Sequence, residues 1–131
     1  IRPALQAKKT VICDRFTDST LAYQGFGRGL EIKAIKEINR LATGDLMPDI
    51  TFLIDCDIEV GLKRALSRIK EKKGAKEDRF EREDLAFHRR VRHGYLSIAK
   101  EEPERVKVIN ADRDIPSIHK EICDIINKRL I

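Results

Sequence analysis

Three short runs of apolar, largely β-branched residues, each ending in polar residues and separated by stretches of helical periodicity, constrain this chain more than any other feature. The runs are Thr10-Val11-Ile12-Cys13, ending at Asp14-Arg15; Ile50-Thr51-Phe52-Leu53-Ile54, ending at Asp55; and Val106-Lys107-Val108-Ile109, ending at Asn110-Ala111-Asp112. Continuous runs of this kind suit buried parallel strands better than half-exposed antiparallel ones. Between them, Ile32, Ile35, Ile38 and Leu41 recur at helical spacing, with Gly44 as a C-terminal cap and Pro48 beyond it. Val60, Leu62, Leu66 and Ile69 mark a second helix after Asp57. Leu85, Val91, Tyr95 and Ile98 mark a third, stopped near Pro103, and Ile115, Ile118, Ile122, Ile125 and Ile126 a closing one behind Asp114. Strands alternating with helices predict an α/β layered fold with a parallel sheet. A length of 131 residues predicts one domain, 1–131.

Charge is unevenly placed. Residues 63–92 hold twelve Lys/Arg and six Asp/Glu, a net of +6, whereas the whole chain carries +5. The remainder is therefore near −1, and a local basic segment on a neutral body points to an anionic ligand. Residues Lys70 to Asp78 are too polar for a core and read as a mobile loop or lid. The three cysteines, Cys13, Cys56 and Cys123, are odd in number and widely spaced, which predicts reduced, buried thiols in a cytoplasmic protein. No apolar run approaches the ~20 residues that span a bilayer, and the opening Ile1-Arg2-Pro3-Ala4-Leu5 has neither a signal-peptide core nor an initiator Met. A chain that opens in mid-pattern reads as a fragment.

Ligands of open α/β sheets bind beyond the carboxyl ends of the strands, which directs attention to Asp14-Arg15 and the residues after it. Asp18 is read as the cap of a short helix that Gly25 closes. On an α-helix Thr20, Tyr23 and Gln24 share one face, and Arg15 and Arg28 flank it with guanidinium groups suited to phosphate. The set suits a nucleoside monophosphate, with base on one side and phosphate on the other. An ordinary ion pair, a solvated helix face and a flexible turn at Gly25-Phe26-Gly27-Arg28-Gly29 stay open as alternatives at this point.

The string Asp14-Arg15-Phe16, Ser19-Thr20-Leu21-Ala22-Tyr23-Gln24-Gly25 and Gly27-Arg28 closely resembles the motif of bacterial thymidylate kinases. The likeness continues through Pro48-Asp49, Leu53-Ile54-Asp55, Val60-Gly61-Leu62-Lys63-Arg64, Asp78-Arg79-Phe80-Glu81, Phe87-His88, Tyr95-Leu96 and Asn110-Ala111-Asp112, so nearly all of the chain is covered. The resemblance implies a three-layer P-loop kinase-like parallel sheet with flanking helices, here without its first strands. It implies phosphorylation of dTMP to dTDP with ATP and Mg2+ as cofactors, a lid over 63–82, and a homodimer that binds neither nucleic acid nor membrane.

By the same resemblance Arg15 holds the acceptor phosphate, and Asp14 sits near the sugar or the magnesium shell. Ser19, Thr20 and Gln24 line the thymine pocket, Tyr23 lies near the ribose 2′ position, and Arg28 supports the site or holds phosphate. Arg64, Arg68 and Arg79 are the candidates for adenine stacking, ATP phosphate contacts and catalysis. Such roles suit phosphoryl transfer, which needs alignment and charge stabilisation more than covalent help.

Two family segments are missing from the 131 residues: the phosphate-binding G-x-x-x-x-G-K-[ST] loop and an arginine-bearing segment after the second strand. On the family's strand order the first strand lies between those at Val11 and Phe52, so this chain alone is expected to be unstable or rearranged, and inactive. A nucleotide-binding module without catalysis is the alternative. A nucleic-acid-binding domain would need exposed aromatics interleaved with Lys/Arg, and most of the seven aromatics fall at core-periodic or motif positions.

Overall fold

The structure, a computed structural model, describes residues 1–61 and 85–130. The helix α1 (Arg2–Gln6) precedes an extended segment. After it come the single turn α2 (Thr17–Thr20) and, continuous with it, a π-helix (Leu21–Gly27). Then follow α3 (Ile32–Thr43), strand β1 (Thr51–Asp55), helix α4 (Leu85–Glu101), strand β2 (Val106–Asn110) and α5 (Ile115–Leu130). The two strands pair in parallel, with Thr51 opposite Val106 and Asp55 opposite Asn110. The α/β arrangement with parallel strands and flanking helices is thus the one expected.

The first apolar run is not a strand. Residues 10–13 form no regular secondary structure, Ile12 is 94% exposed and Cys13 is exposed. A four-residue run gains nothing from an extended backbone unless a neighbour takes up its N–H and C=O groups, and among the described residues β1 pairs only with β2. The same absence of cover corrects the expectation of buried cysteines, since Cys56 and Cys123 are only half-buried, although all three thiols are free.

Local chemistry explains the helix ends. The Glu31 carboxylate accepts from the amides of Lys33 and Ala34 at 3.0 and 2.7 Å, satisfying two of the free donors that open α3. Gly44 closes α3 in the left-handed region (φ 58°), and Arg2 donates to the carbonyls of Thr43 and Gly44, at 2.7 Å each. The apolar stripe of α3 is only half covered: Ile35 is buried and Ile32 half-buried, but Ile38 and Leu41 are exposed.

The core lies where α4 crosses the π-helix. Leu21, Ile35, Ile98, Ala99 and Val106 form one buried cluster, edged by Phe26, Ile32 and Leu53. Ala22, Phe87 and Val91 form another, edged by Tyr23 and Tyr95. Glycine permits the crossing to be close. A Cβ on Gly94 would stand 2.7 Å from Phe26 Cβ and Cγ, and one on Gly27 would stand 2.8 Å from Phe87 Cε2 and Val91 Cγ2. The glycine-rich string is therefore packing surface, and only Gly29 within it has positive φ (76°). No described helix is long and apolar enough to cross a membrane.

Candidate nucleotide site

The residues singled out in the sequence fall on the turn that leaves the extended segment and on the helix that follows. Arg15 has φ 62°, a left-handed conformation that costs an L residue about 1–2 kcal/mol and persists only where its surroundings hold it. Its Nε donates to Ser19 Oγ at 3.3 Å, and its guanidinium carbon lies 4.5 Å from the centre of the Tyr23 ring. Tyr95, arriving from α4, donates its hydroxyl to the same Ser19 Oγ at 2.7 Å. Tyr23 meets Phe87 and Tyr95 edge-on, with ring centroids 6.0 and 6.4 Å apart, a favoured geometry for ring pairs. Arg28 lies over Phe87 at 5.3 Å. Arg90 anchors the end of the π-helix by donating Nε to the Gly27 carbonyl at 2.9 Å.

The helix itself differs from the expected α-helix. Phe16, not Asp18, is its N-cap, and the Arg28 amide reaches the Tyr23 carbonyl five residues back at 3.0 Å. The π-helical turn re-aims the face that Thr20, Tyr23 and Gln24 would share at α-helical spacing. Such segments recur at functional sites. Arg15, Ser19, Tyr23 and Arg28 are drawn together around Phe87 and Tyr95. Asp14 and Thr20 are exposed and Gln24 is half-buried. Arg64, Arg68 and Arg79, with the lid over 63–82, lie outside the described residues.

Next to this cluster, at the carboxyl end of β1, a cleft of about 260 Å³ is lined by Ile54, Asp55, His88, Val91, Arg92 and Tyr95 among others. Arg92 clamps Asp55 through two hydrogen bonds of 2.7 and 2.9 Å, and that pairing, above all, raises the Arg92 pKa further. Burial raises the Tyr95 phenol above its ordinary value, while the Ser19 hydrogen bond and the Arg15 charge pull the other way. Tyr95 therefore stays a neutral donor at physiological pH. Because its folded pKa is raised, its contribution to stability is complete below about pH 10 and is lost as pH rises beyond.

Sequence reasoning did not assign Tyr95 and Phe87 to the site, because at helical spacing they read as core. Nothing local distinguishes Arg92 as a clamp either. Among the described residues no three His, Cys, Asp or Glu side chains converge as a metal site. Magnesium in nucleotide sites takes only one or two protein carboxylates, the rest being water and phosphate oxygens, so the exposed Asp14 carboxylate beside Arg15 fits that use.

A family model described as thymidylate kinase matches residues 1–122. The chain is 52% identical over 130 residues to the thymidylate kinase of Citrifermentans bemidjiense, covering 99% of this chain and 58% of that protein. For the thymidylate kinase of Geobacter sulfurreducens the identity is 48%, with 99% and 61% covered. The crystal structure of thymidylate kinase from Ehrlichia chaffeensis superposes with a TM-score of 0.72 at 38% identity, covering 97% of this chain and 55% of that one. The chain thus spans about three-fifths of the length of the curated relatives it matches.

Proposed function

The chain belongs to the thymidylate kinase family, and we propose that it supplies the acceptor half of a reaction in which dTMP takes a phosphoryl group from ATP to give dTDP. The observation that carries this reading is the Arg15–Ser19–Tyr23–Tyr95 cluster beside a cleft at the carboxyl end of β1.

In this reading Arg15 holds the dTMP phosphate. Its guanidinium is presented by the left-handed turn and steadied by Ser19 and the Tyr23 ring, so it is ordered before substrate arrives. Ser19, Thr20 and Gln24 face the thymine, Tyr23 disfavours a ribose 2′-hydroxyl, and Arg28 supports the phosphate side. Asp14 would hold magnesium, which when bound offsets charge on the phosphates. Residues 63–82 form the lid, and Arg64, Arg68 and Arg79 serve ATP. The glycine-rich donor cradle is not in the 131-residue sequence; the second reading, of this stretch by itself, is a nucleotide-binding module without turnover.

Small nucleotides, rather than nucleic acid, suit Tyr23, Phe87 and Tyr95, which pack on one another instead of standing exposed. A cytoplasmic location suits such substrates. A homodimer suits the exposed Ile38 and Leu41 of α3, at 59% and 67%, an apolar pair that a second copy would cover. Leu41→Glu is expected to weaken self-association at least about tenfold by sedimentation, and an unchanged monomer–dimer balance would count against that interface.

The direct test is calorimetry on the chain with dTMP, its ribonucleotide counterpart, dUMP and dGMP. Where circular dichroism shows the chain folded, selective dTMP binding is expected, and Arg15→Ala should weaken it by about 30-fold, the scale of one charge-assisted contact. Equal binding of all four nucleotides, or full affinity in the Arg15 variant, would contradict the assignment.

A further inference from the structure

Arg105 lies where β2 begins, 87 residues from Asp18, yet their side chains meet in a two-pronged pair of 2.7 and 2.9 Å with each side chain only 12–13% exposed. The same guanidinium donates to Thr51 Oγ1 at 3.0 Å and to Glu102 at 2.7 and 3.0 Å. The Arg105 carbonyl accepts the Thr51 amide at 2.8 Å. One residue therefore ties α2 to the starts of both strands and to the end of α4. Asn39 also holds α2, donating to the Thr17 carbonyl at 3.2 Å. Ser19, which receives both Arg15 and Tyr95, follows directly after these two anchored residues.

We infer that the Asp18–Arg105 pair is a positioning device: it fixes α2 against the parallel strands and thereby aims Arg15 and Ser19 at the acceptor nucleotide. α2 is the opening turn of a helix that the π-helix continues, the end that frays most readily, and the left-handed Arg15 just before it needs an external brace. A planar fork matched to a carboxylate fixes direction as well as distance. Neither residue lines the cleft at the carboxyl end of β1. The effect on binding rests on the acceptor reading above; the effect on α2 does not.

The test compares Asp18→Asn, Arg105→Gln and their double variant with Ile109→Val, which loosens the buried side of β2 without touching the pair. Amide hydrogen exchange of residues 16–20 is expected to quicken at least about tenfold in the first three and to stay near the unsubstituted rate in Ile109→Val. The double variant should match the singles rather than sum them. Affinity for dTMP should fall about tenfold with the exchange change, and not in Ile109→Val. Exchange at 16–20 that is unchanged, or that follows overall stability equally in all variants, would overturn the proposal. If the unsubstituted chain binds no dTMP, the acceptor reading fails, and the exchange result still decides the role of the pair.

Discussion

The 131-residue chain by itself is expected to show no dTMP-dependent consumption of ATP, and to gain it when the N-terminal part of the Citrifermentans bemidjiense thymidylate kinase is supplied. That relative leaves about 42% of its length outside the match, since 58% is covered. The physical grounds lie at the free edge of β1. The Thr51 amide and the Asp55 carbonyl both bond towards β2 and its flanks. In a strand the backbone groups alternate sides, so those of Phe52 and Ile54 face the opposite edge. Ile54 of β1 is 49% exposed, and Ile12 is 94% exposed. A parallel strand laid along this edge would cover apolar surface, take up the outward backbone groups and bring a phosphate-cradling loop to the carboxyl ends of the strands. The gain in turnover should be on the order of 10³-fold or more, the scale attached to a single charge-stabilising group in phosphoryl transfer. A coupled ADP-release assay on the chain with and without the added segment measures it. Turnover by the chain alone would show that the 131 residues contain their own donor site.

Gly94→Val should be the most damaging single substitution in the helical layer. Helix propensity favours replacing a mid-helix glycine with Ala by about 1 kcal/mol. Here packing opposes it, because the added Cβ would stand 2.7 Å from the Cβ and Cγ of Phe26. Those atoms lie next to the backbone and cannot swing aside, so α4 and the π-helix must separate. Overpacking of this kind costs about 1–3 kcal/mol for Ala and more for a branched residue. The clash therefore wins, and Gly94→Val is expected to lose about 3 kcal/mol or more in urea unfolding. Among the described residues a Cβ on Gly61 meets Cys56 Sγ, at 3.2 Å, so Gly61→Ala is the mild comparison. Equal stability of the two variants would show that the crossing is looser than the structure has it.

Periodicity in the sequence located α3 with its Gly44 cap, β1, β2, α4 and α5, because those elements declare themselves through spacing and end chemistry. It misread Thr10–Cys13, because whether an apolar run becomes a strand depends on a neighbour and not on the run. It took Asp18 for a helix cap, since a carboxylate near a helix start has that use more often than pairing with an arginine 87 residues away. Arg15, Ser19 and Tyr23 were legible through the motif, and the structure joins them. Tyr95 was legible as an apolar-stripe residue and as part of the family likeness but not as a site residue, because a tyrosine's ring signals burial while its hydroxyl partner lies on another element. The π-helical turn has no signature in residue type or spacing, and it changes which of Thr20, Tyr23 and Gln24 point the same way.

The long reach of the pairings has a consequence for synthesis on the ribosome. β1 emerges early but finds its partner only when residues 106–110 follow, and Asp18 waits 87 residues for Arg105. Until then β1 lacks β2 and the Arg15 turn lacks its brace. Chaperone contact with the nascent chain should therefore persist until about residue 110 has cleared the exit tunnel, and fall away within the span that releases β2.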